Sequence, residues 1–324
     1  MPTYASQLEG ARHLLINAGK ASTDEQILLI YDESTSNLVT FFEKVSQEQN
    51  LSLFTIKIDQ NVRHGQEPDF EVLGQMMQSS LILALTEFSL AHTNARIQSN
   101  LSGSRFLSLP QYDSDLLGDQ MVLVDYKEQF DITKKFADIF TFGKSLQIRT
   151  EAGTNLEMNI VNRIGNCCPG AVRYPGDLGS PPDIEANISP IEELSEGIAV
   201  IDASITTPEL GVLSTPVILE ISGGKVVRID SLEIEYVKKL EKIFESKNSP
   251  RRVLAELGVG LNPLARITGK MLSDEGTLST AHFGFGSNFT VGGVNKVDFH
   301  LDFVMRDASI IVDDQVLMDR GKLL

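Results

Sequence analysis

The segment Val297-Asp-Phe-His-Leu-Asp-Phe-Val-Met305 alternates between apolar and polar residues. A period of two puts Val297, Phe299, Leu301, Phe303 and Met305 on one face of a strand, and Asp298, His300 and Asp302 on the other. Such a segment is stable only as part of a sheet whose apolar side is covered. Three further segments repeat the design. In Thr280–Asn288, Ala281, Phe283 and Phe285 oppose Thr280, His282, Gly284 and Gly286. In Ile184–Ser189, Glu185 and Asn187 oppose Ile184, Ala186 and Ile188. In Ala255–Asn262, Glu256, Gly258, Gly260 and Asn262 share a face against Leu257, Val259 and Leu261. Glycine weakens a strand, so glycines beside a histidine imply that something approaches the backbone closely there, or that the strand bends.

A histidine and an aspartate two apart on a strand can supply two ligands to one divalent cation, because imidazole and carboxylate suit zinc, manganese and ferrous iron. Taken singly, His300-x-Asp302 is more often a solvated face or a hydrogen-bonded pair. The weight comes from repetition: Glu185, Glu256, His282, His300 and Asp302 form one array of candidate metal ligands. Three carboxylates and two imidazoles suffice for two divalent ions when a carboxylate or hydroxide bridges them, or for one ion with the remaining carboxylates outside its coordination sphere. Asn187 and Asn262, on the same faces as Glu185 and Glu256, are candidate substrate-binding residues. The other three histidines, His13, His64 and His92, lack acidic partners at ligand spacing and read as structural or exposed.

The chain has 324 residues, which favours two domains over one. Residues 1–143 read as an open, mostly parallel α/β sheet domain: strands over Gln26–Tyr31, Leu51–Ile58, Ser80–Leu85 and Phe106–Leu109 alternate with helices over Leu38–Val45, Phe70–Met77 and His92–Ser99. No glycine-rich phosphate fingerprint joins a strand to a helix, so the fold gives no warrant for a nucleotide cofactor. Lys127–Phe142 has helical character and leads into the second half. Residues 144–324 read as a strand-rich α+β catalytic domain, opening with a hairpin about Glu151-Ala-Gly-Thr-Asn155 and holding one strong helix candidate, Leu232–Phe244. A formal charge of −16 without a basic cluster argues against nucleic acid and anionic lipid as partners, and favours divalent cations and peptide or small-molecule substrates. Cys167 and Cys168 are adjacent and read as free thiols. No run of eighteen apolar residues and no signal-peptide pattern occurs, so a cytoplasmic location and no membrane contact are the expectation.

The order Glu185, Glu256, His282, His300-x-Asp302 resembles the five-ligand set of the M29 metallopeptidases, the thermophilic leucyl aminopeptidase or aminopeptidase T family, over roughly the last 150 residues. Glu185 stands in Glu-Ala-Asn-Ile-Ser-Pro190, Glu256 in Ala-Glu-Leu-Gly-Val-Gly260, and His282 in His-Phe-Gly-Phe-Gly286, with Asp274-Glu275 upstream where that family carries an Asp-Glu-Asn element. The resemblance implies a hydrolase of aminopeptidase type, with two zinc, manganese or cobalt ions activating water, and a homodimer. The family's catalytic tyrosine falls at Phe289, which would line the substrate site but cannot donate to an oxyanion. In this, and in its shorter length, the chain is also similar to the related 2,5-dihydroxypyridine dioxygenases. They imply the alternative: a ring-cleaving enzyme with one Fe(II) held by His300 and Asp302 together with His282 or Glu256. A metal-binding protein without catalysis is the third reading.

Overall fold

The computed structural model describes residues 2–324. The mixed α/β architecture expected from the sequence is present, as one parallel sheet and two antiparallel ones. The chain divides into two compact units. One comprises the chain up to Glu128 with Cys168–Pro182, the other Gln129–Cys167 with Asp183–Leu324.

The first unit is built on five parallel strands in the order Ser52–Lys57, Gln26–Tyr31, Leu81–Leu85, Arg105–Ser108 and Leu178–Gly179. Central strands of a parallel sheet are covered on both sides, which accounts for the unbroken apolar runs Ile27–Ile30 and Leu81–Leu85. Helices Val39–Gln49, Phe70–Met76 and Asn94–Leu101 connect them, and Val72, Met76 and Ala95 pack into the same core as Leu28, Ile30, Ile82 and Phe106. A helix over Tyr4–His13, continuing as a π turn over Leu14–Ala18, has no counterpart in the sequence reading. Its hydrophobic stripe is weak, and its start is marked instead by a capping box between Thr3 and Ser6.

The second unit contains an eight-stranded sheet ordered Lys225–Ser231, Val217–Ser222, Ser195–Ile201, Asn155–Asn159, Ser145–Arg149, Ser309–Val312, Gln315–Asp319 and Lys322–Leu323. Val217, Leu219 and Ile221 are buried while Ile218, Glu220 and Ser222 face solvent, the alternation of a sheet covered on one side. The candidate site belongs to the other sheet, of seven strands: Gly211–Val212, Ser204–Ile205, His300–Met305, Ala281–Gly286, Leu254–Gly260, Glu185–Ile188 and Asn166–Cys168. The helix Ile234–Phe244 backs this sheet. Phe244 stacks on Phe303 with ring centres 5.7 Å apart and meets Phe285 edge-on at 5.6 Å, while Phe285 and Phe303 meet edge-on at 5.0 Å. The Arg252 guanidinium covers the Phe244 ring at 5.5 Å. These phenylalanines are the apolar halves of the alternating segments, so their packing commits His282, His300 and Asp302 to the opposite face.

That opposite face is covered as well. Every residue of Leu254–Gly260 and of Ala281–Gly286 is buried. The short helix Met271–Gly276 and Asp183, two residues before the Glu185 strand, close over it: a side chain on Gly260 would meet the Glu275 carbonyl at 2.7 Å, and one on Gly276 would meet Asp183 Cα at 2.7 Å. Phe244 has no solvent exposure. Phe244→Ala should lower the unfolding free energy by about 3–5 kcal/mol in urea denaturation. A loss below about 1 kcal/mol would show that this aromatic cluster does not hold the sheet.

Candidate metal centre

Backbone pairing brings the four predicted segments side by side. Gly260 lies opposite Glu185, Gly258 opposite Asn187 on one side and His282 on the other, Glu256 opposite Gly284, Gly284 opposite Asp302, and Gly286 opposite His300. The strand carrying Glu256 shifts register at a bulge between Leu254 and Glu256. Each glycine that faces a functional residue is sterically required. A Cβ on Gly258 would overlap the His282 ring and lie 2.7 Å from Glu185 Oε2; one on Gly284 would lie 2.7 Å from His300 Cε1 and 3.0 Å from Asp302 Oδ1. The side chains of the cluster thus lie across bare backbone, the close approach that paired glycines imply.

Glu185, Glu256 and His282 each offer a ligand atom within 4.8 Å of the others, and so do Glu256, His300 and Asp302. Glu256 belongs to both groups. His282 Nε2 is 3.1 Å from Glu185 Oε2, and His300 Nε2 is 3.2 Å from Asp302 Oδ1 and 3.3 Å from Glu256 Oε2. His300 Nδ1 lies 2.8 Å from the Ser287 carbonyl oxygen, a partner that suits an Nδ1–H donor and leaves Nε2 for the cluster. The His300 side chain is 34% exposed, whereas Glu185, Glu256, His282 and Asp302 are buried, so the cluster reaches solvent on the His300 side.

Two buried carboxylates join the five that the spacing singled out. The Asp183 and Glu275 carboxyls are held well above the usual carboxylate range, first by burial and then by neighbouring carboxylates, with Glu185 and Asp302 acting on both. Asp183 was detectable: it precedes Glu185 by two residues and so shares its face. Glu275 comes from a helix too short to show a period. Its neighbour Asp274 has a structural task, accepting from Thr268 N–H, Gly269 N–H and Ser204 Oγ–H.

The remaining sequence candidates separate. Asn187 Nδ2 donates to Glu185 Oε1 at 2.6 Å, so it sits at the cluster. Asn262 is fully buried, and its Oδ1 accepts from Leu264 N–H in the turn after the strand. Phe289 projects outward, 58% exposed, with Lys296 Nζ 5.0 Å above its ring.

The donor set fits a divalent cation. Asp183 Oδ1, Glu275 Oε1 and His282 Nδ1 are buried without a hydrogen-bond partner, and buried Glu185 Oε2 faces His282 Nε2 at 3.1 Å. Orphaned polar atoms of this kind are costly unless a cation or a proton compensates them. Burial pulls the His282 imidazolium down, but Glu185, Asp302 and Glu256 outweigh it and raise its pKa to about 9. Burial likewise opposes the His300 charge, and Asp302 and Glu256 overcome it. Imidazoles that carry protons in the metal-free protein must release them to ligate. Divalent-metal affinity should therefore rise with pH up to about 9, with proton release seen by calorimetry in buffers of different ionisation enthalpy. A pH-independent affinity would place the ion elsewhere.

A family model described as NicX, 2,5-dihydroxypyridine 5,6-dioxygenase, matches residues 20–324. The chain belongs to the NicX family. Among curated proteins, the 2,5-dihydroxypyridine 5,6-dioxygenase of Pseudomonas putida KT2440 is 28% identical over 193 residues, 56% of this chain and 54% of that protein. The match thus spans about half the length of this curated relative. The solved structure of 2,5-dihydroxypyridine dioxygenase from the same organism superposes with a TM-score of 0.85 at 19% identity, covering 99% of this chain and 98% of the other. AmpT from Thermus thermophilus superposes with a TM-score of 0.67 at 14% identity over 99% of this chain and 100% of its own. The NicX-family fold and that of AmpT are therefore related, as the resemblance implied. The expectation of an aminopeptidase-type hydrolase with zinc is overturned: the family match and the curated relative are both to the dioxygenase. Its physical reason is that this chain shares its fold with both structures, so the fold and the ligand order that carried the hydrolase reading do not discriminate between the reactions.

Gly258→Ala and Gly284→Ala should each weaken metal binding at least about tenfold while the fold persists, since the added methyl displaces a histidine ring or a carboxylate. Unchanged metal content in both variants would remove the cluster as the centre.

Among the described residues, no helix is long and apolar enough to cross a membrane.

Proposed function

We propose that the chain is a ferrous ring-cleaving dioxygenase acting on a dihydroxylated aromatic or heteroaromatic ring, with 2,5-dihydroxypyridine the first compound to test. The observation that carries this reading is the convergence of Glu256, His300 and Asp302, whose ligand atoms lie within 4.8 Å of one another, with His282 on the strand between, in a chain of the NicX family. Imidazole and carboxylate donors of this kind suit non-haem iron. Held by them, ferrous iron would supply redox chemistry toward oxygen at its open coordination positions.

The protein's own contributions follow from the geometry. Approach is from the His300 side, the exposed edge of the cluster. Asn187 engages Glu185 Oε1, and Glu185 Oε2, 3.1 Å from His282 Nε2, is the atom we assign to accept the proton of a ring hydroxyl. Glu256, 3.3 Å from His300, completes the acidic wall. Burial and the carboxylates Glu185 and Asp302 push its pKa up, with His300 opposing them. A small, flat, hydroxylated ring suits an entrance bordered by an imidazole and ringed by carboxylates.

Protein purified without oxygen and loaded with ferrous iron should take up oxygen in step with the loss of 2,5-dihydroxypyridine, and zinc should inhibit it. His300→Ala should lose most of its iron together with the oxygen uptake and remain folded. Iron-loaded protein that consumes no oxygen with any dihydroxylated ring in a panel would overturn the reading.

A further inference from the structure

We infer that Asn166 is a positioning residue for the cluster, acting on Glu185 through Asn187 and tying it to the loop between the His282 and His300 strands. The inference rests on the metal-centre reading above. Asn166 lies on the edge strand beside the Glu185 strand. Its Nδ2 donates both to Asn187 Oδ1 at 2.8 Å and to the Val291 carbonyl at 3.2 Å. Asn187 Nδ2 in turn donates to Glu185 Oε1 at 2.6 Å.

The direction of this chain is fixed by chemistry. A primary amide has one accepting and one donating end. Because Asn166 occupies the accepting end of Asn187, the donating end must face Glu185. That engages Glu185 Oε1 and leaves Oε2 to His282 Nε2, 3.1 Å away. Turning the Asn187 amide around would set its oxygen against a carboxylate oxygen, and Glu185 would have to rotate away from His282. Asn166 therefore helps to fix the orientation of the Glu185 carboxylate towards the imidazole.

The other arm of Asn166 reaches a segment that is itself anchored to the cluster. Asn288 is fully buried and donates to Ser189 Oγ and Glu192 Oε1; Glu192 pairs with Arg163, which donates to the Gly292 carbonyl. At its start, the Ser287 carbonyl faces His300 Nδ1. The loop thus contacts the cluster at two points: at His300, the exposed member, and through Asn166 and Asn187 at Glu185. A displacement of Val291 would be felt at Glu185 without any group touching the metal ligands directly.

The test uses Asn166→Asp, which keeps shape but removes the donor, and Asn166→Ser, which keeps a short donor. Both are titrated with Co(II), whose visible absorption reports ligand geometry. Asn166→Asp should weaken Co(II) affinity about tenfold, the usual scale for an orienting partner of a metal ligand, and alter the spectrum. Asn166→Ser should retain part of the affinity. In a Glu185→Gln background, Asn166→Asp should add little further loss, because both act through one carboxylate. Wild-type affinity and spectrum in a folded Asn166→Asp protein, or full additivity with Glu185→Gln, would overturn the inference. A wild-type protein that binds neither Co(II) nor Fe(II) would instead overturn the metal centre on which it rests.

Discussion

Everything at this site depends on keeping an excess of negative charge inside a protein. Asp183, Glu185, Glu256, Glu275 and Asp302 are buried together, with His282 and His300 as their cationic counterparts. Removing an ion from water costs several kcal/mol even after relaxation, so such a cluster persists only if protons or a cation offset it and the surrounding scaffold is rigid. Protons are one such offset: burial and neighbouring carboxylates push Asp183 and Glu275 up, and the carboxylates about His282 and His300 favour their charged forms. The same groups can exchange those protons for a divalent ion. Instability of this kind is a means of holding metal, since the free energy stored in unmatched charge adds to binding.

The scaffold supplies rigidity by separating the two duties of each strand. Backbone hydrogen bonds and the phenylalanine face hold the sheet, so the polar face can be composed for chemistry with little demand for packing. Register is the sensitive variable: a slip of one residue would bring Phe283 and Phe303 to the site and carry His282 and Asp302 into the aromatic layer. The stack of Phe244 on Phe303 resists that slip. Gly258 and Gly284 show the complementary demand, because functional side chains from flanking strands occupy the space where their own side chains would be.

Much of this was legible before any coordinates. Alternation in Val297–Met305, Thr280–Asn288 and Ile184–Ser189 specified strands and faces, because burial on an apolar side imposes a period of two that a single sequence displays. In the first unit the apolar runs and the helical apolar spacing marked the four main strands of the parallel sheet and the helices between them. Other features left no periodic trace. The strand Leu178–Gly179 is too short to carry a pattern, and the helix Tyr4–His13 has too little apolar contrast between its faces. Glu275 enters through the tertiary packing of a six-residue helix on Gly260, a contact that sequence spacing does not encode. The polar faces of the Glu256 and His282 strands, readable as solvent-facing, are buried because Asp183 and that helix cover them.

The reaction itself was the least legible property, for a chemical reason. Carboxylates and imidazoles on a rigid sheet suit hydrolytic metals and ferrous iron alike, so a list of ligands identifies a metal site without identifying what is done there. Discrimination has to come from groups that serve one chemistry only. Peptide hydrolysis needs a donor for the oxyanion that develops at the scissile carbonyl, and one such donor is worth about 3 kcal/mol in the barrier. At the position where the peptidase resemblance implies a tyrosine, this chain has Phe289, and its ring stands in solvent beneath Lys296. Opening a hydroxylated ring develops no tetrahedral oxyanion of that type; it calls for an acceptor for the hydroxyl proton, the part proposed for Glu185 Oε2 beside His282. The donor the chain lacks and the carboxylate acceptors it gathers therefore favour the same reaction class.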